Sequence, residues 1–135
     1  MFQDMPRPII GSASGGDDWP DMTDATPLEI NSNRVINTTV CGYKTVDTKQ
    51  YIEIDGTLNF NSTQGNTYQL TTSSIARLSN ISKTTIEIVL GVNNQQIAPR
   101  LIYNSSASLY NVTLAVPLAI NLTGVSCRIR IKLEQ

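Results

Sequence analysis

Four segments of this chain alternate apolar and polar residues with period two, and that pattern constrains the fold more than anything else in the sequence. In Tyr51–Phe60, Ile52, Ile54, Leu58 and Phe60 fall on one side, with Glu53, Asp55, Thr57 and Asn59 on the other. In Thr85–Leu90 the apolar set is Ile86, Ile88 and Leu90, and in Tyr110–Val116 it is Tyr110, Val112, Leu114 and Val116. In Cys127–Leu133 it is Cys127, Ile129, Ile131 and Leu133, opposite Arg128, Arg130 and Lys132. Successive strand side chains point to opposite faces, so this alternation marks strands with one face on a core. Arg34–Cys41, Asn66–Thr71 and Gln96–Tyr103 are shorter candidates, and Pro99 makes the last an edge or bulged strand. Clusters of Asn, Ser, Thr and Gly separate the runs as turns. Ser73–Ser82 fits either a loop or one helical turn capped by Ser74. The expectation is an all-β chain: a single antiparallel β-sandwich, jelly-roll-like, of about seven strands.

Composition supports this reading. Only 16% of the 135 residues are charged, and 12 Ser, 15 Thr and 12 Asn fill the gap. Their short hydrogen-bonding side chains compete with the backbone ladder of a solvated helix but suit turns and outer strand faces. The length suits one domain with one core.

The charge divides the chain. Residues 1–30 carry one base against six acids, a net of −5, and residues 31–135 carry nine bases against five acids, a net of +4. The first part also holds Pro6, Pro8, Pro20, Pro27 and the run Gly11-Ser12-Ala13-Ser14-Gly15-Gly16. Prolines remove donors and glycines add freedom, so residues 1–27 read as an extended arm before a sandwich at 28–135. The apolar arm residues Phe2, Met5, Ile9, Ile10 and Trp19, with Pro6 and Pro8, suit a segment that docks on a partner.

Several chemistries are excluded or weakly signalled. With no histidine there is no Ser-His-Asp triad and no His-ligated zinc or haem. No apolar run approaches the roughly 18 residues of a membrane helix. The start lacks the layout of a secretory signal, and the expectation is synthesis without export. A near-neutral chain lacks the basic surface that phosphate-driven nucleic-acid binding requires. Cys41 and Cys127 read as small buried apolar residues, with a disulfide as the alternative. Glu53 and Asp55 share a strand face, as paired acid–base carboxylates do, although alternating charges also mark a solvated sheet face. Asp17, Asp18, Asp21 and Asp24 lack the spacing of a calcium loop, so no metal or cofactor is expected. Asn-x-Ser/Thr triplets at Asn37, Asn61, Asn80, Asn104, Asn111 and Asn121 would be glycosylation acceptors in a secreted protein, but the start lacks a secretory signal and an Asn/Thr-rich chain contains such triplets by composition. Tyr51 and Tyr103 are candidates for stacking on a sugar or packing at an interface. Arg128, Arg130 and Lys132 form a basic stripe that either faces water or receives the acidic arm of a neighbouring subunit.

The run Ile52–Phe60, its Asn/Gly-rich turn, Tyr68-Gln69-Leu70, an irregular segment, Ile86–Leu90 and the later alternating strands follow one another in an order that looks familiar. Over residues 28–135 this texture resembles the small β-sandwich domains of bacteriophage fibres, head decoration and attachment proteins. The arm is similar in kind to their anchoring arms. That resemblance implies a non-enzymatic virion component made in the host cytoplasm and a homo-oligomer, most often a trimer. It also implies an arm bound to a capsid or tail component, with neither nucleic acid nor membrane as partner. A carbohydrate-binding module that recognises a cell-surface glycan is the alternative.

Overall fold

A computed structural model describes residues 19–91, 97–104 and 109–135, and the described chain is all-β. The alternating runs become its long strands. β1 (Thr26–Pro27), β2 (Val35–Val46) and β3 (Lys49–Leu58) are followed by β4 (Asn61–Ser62), β5 (Asn66–Gln69) and β6 (Ile75–Ala76). Then come β7 (Lys83–Leu90), β8 (Ala98–Asn104), β9 (Leu109–Val116), β10 (Ile120–Asn121) and β11 (Val125–Glu134). Every strand pair is antiparallel.

The larger sheet has the order β1-β2-β3-β11-β7. In the second sheet, β9 pairs with β8 on one side and with β5 and β6 on the other. A short β4–β10 ribbon lies apart from both. The apolar sets of β3 and β11 meet those of β9 and β5 between the sheets. Ile52, Ile54, Ile129 and Ile131 are buried with Tyr110, Val112, Leu114 and Tyr68 in one cluster. That common interior is the β-sandwich that period two predicts.

β2 and β3 join through Asp47-Thr48, with Val46 opposite Lys49 and Asp47 at a φ of 56°. Aspartate is among the few side chains that tolerate this left-handed region. β2 also carries a bulge between Ile36 and Val40, where Asn37 has a φ of 54°. Within Ser73–Ser82 no helical turn forms. Ile75 is buried and pairs with Tyr110, and Ala76 pairs with Leu109. Tertiary pairing with β9 outweighs the local capping signal of Ser74.

The two sides of the sandwich differ. On the β2 side, the Asn31 amide donates to the Leu70 carbonyl and the Thr72 amide donates to the Glu29 carbonyl, both at 2.8 Å. Ile30 and Thr71 form a bridge between these bonds, so the two sheets are laced together there. On the far side β7 ends the large sheet and β8 ends the second. A cleft of about 440 Å³ lies between them, lined by Ile86, Leu101, Pro99 and Tyr110 among others.

Candidate functional site

The register of β3 against β11 assembles the outer face of the large sheet. Tyr51 lies opposite Lys132, Glu53 opposite Arg130 and Asp55 opposite Arg128. On the other side of β11, Arg130 lies opposite Glu87 of β7. Each base of the terminal strand therefore has an acid or a tyrosine beside it. Cross-strand neighbours stand about 5 Å apart, close enough for opposite charges to pair.

The first described residue occupies the centre of this face. The Trp19 indole Nε1 donates to Glu53 Oε1 at 3.0 Å, and Arg130 Nε donates to Glu53 Oε2 at 3.2 Å. The Arg130 guanidinium stands 4.9 Å from the Trp19 ring centre, within cation–π range. The Tyr51 ring meets the indole edge-on at 5.0 Å and 82°. Tyr51 is 4% exposed and Glu53 5%, so a face that alternation assigns to water is covered by the chain's own N-terminal side. Both oxygens of Glu53 are held as acceptors, and the carboxylate is the hub of the seat.

From Trp19 the chain runs back across the outer face to β1. Lys44 Nζ donates to Asp24 Oδ1 at 2.7 Å and to the Asp21 carbonyl at 3.0 Å. The Lys44 ammonium beside it holds the Asp24 carboxyl below its ordinary value. Gly42 makes room where the segment reaches the sheet edge: a Cβ there would stand 2.7 Å from the Thr26 carbonyl oxygen. A groove of about 850 Å³ runs beneath the segment, lined by Trp19, Met22, Cys41, Glu53 and Arg130 among others.

Of the residues singled out in the sequence, Trp19, Tyr51 and Arg130 come together in the seat. Arg128 reaches Glu87 at 3.9 Å, while its buried Nε has no hydrogen-bond partner among the described residues. Lys132 stays on the same face, between Tyr51 and Thr85. Tyr103 lies in edge strand β8, opposite Tyr110. Phe2, Met5, Pro6, Pro8, Ile9 and Ile10 lie outside the described residues. Glu53, read from alternation as solvated, is instead buried because Trp19 covers it. Cys41-Gly42 reads in sequence as a turn closing the Arg34–Cys41 strand, but Gly42 lies inside β2, where the crossing Trp19–Pro27 segment needs a residue without a side chain; Lys44 does not stand out, because its role also depends on that crossing.

Cys41 and Cys127 are free thiols. Cys41 is paired to Ile54 and Cys127 to Gly56, so β3 lies between them. Two strand spacings are about 9.5 Å, beyond the reach of a disulfide. Burial pushes the Cys41 thiol up to about 11. Burial, aided by the charge of Asp55, pushes Cys127 up to about 12. Among the described residues no three acids or cysteines gather closely enough to hold a metal ion. Comparison with protein-family models, with curated proteins and with solved structures finds no match.

Proposed function

We propose that this chain is a non-enzymatic virion structural protein of the phage head-fibre, decoration or tail-adaptor kind. It is a homo-oligomer that is made in the host cytoplasm, tethered to a capsid or tail component by its N-terminal arm, and displays the β-sandwich outward. The observation that carries this reading is the grip on Trp19. A tether needs a firm root, and the arm's root is held by a buried carboxylate, a guanidinium and a tyrosine ring on the strands that build the core. Tension on residues 1–18 is then borne by β3 and β11, the two longest-paired strands of the large sheet. The same grip argues against acid–base work at Glu53, whose two oxygens are engaged. It also argues against a glycan platform at Tyr51, whose ring lies under Trp19.

Particle association tests the reading. Tagged full-length chain, supplied during growth of the parent virus, should co-sediment with purified particles. A chain lacking residues 1–18 should stay unbound while keeping a β-rich circular dichroism spectrum. Equal co-sedimentation of both overturns the anchoring role, and absence of the full-length chain from particles overturns the virion role.

A further inference from the structure

We propose that the free edge of β7 is a self-association surface, where a second copy of this chain adds its own β7 antiparallel across a two-fold axis. The other borders of the sandwich are guarded. β1, with its Pro27, pairs with Tyr43 and Gly42 of β2, a bulge between Ile36 and Val40 breaks the rest of that edge, and the Glu29–Asn31 stretch laces that side to the second sheet. β8 carries Pro99, which removes a donor from its edge. β7 has neither proline nor bulge, and all eight of its residues pair with β11 in unbroken register. Among the described residues no strand pairs with its other side.

An edge of this length leaves the backbone groups of alternate residues unpaired, and soluble proteins normally block such edges with charge, proline or cover. Here Lys83 through Glu87 are exposed in succession, Ile86 is 40% exposed on the inner face, and Val89 is 45% exposed on the outer face. An exposed apolar side chain, Ile86, on a bare strand fits continuation of the sheet.

The occupant follows from self-complementarity. With the axis at Thr85, antiparallel pairing sets Lys83 against Glu87 twice and Thr84 against Ile86 twice. Opposite charges meet on the outer face and apolar surface is covered on the inner one. Parallel pairing in register would set Lys83 on Lys83 and Glu87 on Glu87. The two-fold contact is closed, so it ends at a dimer with one continuous ten-stranded sheet from two five-stranded ones. This rests on the oligomeric part of the proposed function, names its interface, and puts a dimer in place of the trimer that the resemblance implies. Its failure is separable, because particle co-sedimentation reads the arm and solution mass reads this edge.

The experiment is solution mass by light scattering on the full chain and on two charge reversals, Lys83→Glu and Glu87→Lys. Wild type should be a dimer. Each reversal sets like charges against each other twice and should weaken dimerisation at least about tenfold. An equimolar mixture of the two variants should restore a dimer with one chain of each, since the two acids of one edge then face the two lysines of the other. That rescue also establishes that both variants are folded. A wild-type monomer at high micromolar concentration overturns the proposal, as does a trimer, a dimer that ignores both reversals, or a mixture that fails to reassociate.

Discussion

Glu53 sits where a strand face would ordinarily leave a carboxylate in water. Taking it out of water is unfavourable by several kcal/mol unless partners replace the lost hydration. Arg130 and the Trp19 indole supply one hydrogen bond to each oxygen, and Arg130 supplies the countercharge. The arrangement is asymmetric in its sensitivity. Removing Arg130 leaves a nearly buried anion with a single neutral donor, whereas neutralising Glu53 leaves an arginine that is still partly wet. Arg130→Ala is therefore expected to lose on the order of 3 kcal/mol in urea unfolding. Glu53→Gln, which keeps an acceptor for the indole, should lose clearly less. A loss under about 1 kcal/mol for Arg130→Ala, the size of an exposed pair, would mean that water reaches the carboxylate freely.

At the scale of elements, the Trp19–Pro27 segment behaves as a strap whose two ends are held differently. One end is the Trp19 seat, and the other is β1 against β2, where Thr26 pairs with Tyr43 and Pro27 with Gly42. Gly42 is the narrow point, with Ala25 Cβ at 3.1 Å and the Thr26 carbonyl oxygen at 2.7 Å from any added Cβ. Backbone cannot yield as the tip of a flexible side chain can, so Gly42→Ala should lift the strap, at roughly 1–3 kcal/mol. The chain has one tryptophan, and it sits on the strap, which makes its fluorescence a local reporter. Gly42→Ala should shift the emission to the red in native buffer while the far-ultraviolet dichroism of the sheets persists, and unchanged emission would disprove the strap's dependence on this glycine. The long strands are legible because each turns one apolar face to the core, so Ile52, Ile54, Ile129 and Ile131 declare themselves by spacing. Pro99 likewise announced an edge, and β8 is one. The strap's seat was not legible. It depends on Glu53 standing beside Arg130, 77 residues away in sequence, and no local pattern encodes that register. The two-residue strands β1, β4, β6 and β10 are hidden for the same reason: they exist because a partner strand passes.

For the molecule as a whole, the interior titrates as well as packs. It holds the Cys127 thiol, with the half-buried Cys41 thiol packed against the core, and the Tyr110 phenol, which donates to Gln50 Oε1 at 2.5 Å while Gln50 Nε2 donates to the Ala76 carbonyl at 2.7 Å. Each of the three groups is neutral when protonated, and burial raises each above its ordinary value. In the unfolded chain the thiols lose their protons near 9.0, whereas in the fold Cys41 holds its proton to about 11 and Cys127 to about 12. Between those limits the unfolded state binds fewer protons than the native state, so stability must fall as pH rises. Below pH 9 the contribution is fully present; it is lost progressively up to about 12, and Tyr110 adds to the loss above its ordinary value of 10.0. The melting temperature should accordingly be level in these groups from neutrality to pH 9 and decline beyond it. Replacing both cysteines by alanine lowers overall stability by opening small cavities, but it should also flatten the first part of that decline. If the double variant declines as steeply as wild type between pH 9 and 10, below the range in which Tyr110 contributes, the thiols are not what the first part of the alkaline limb reports.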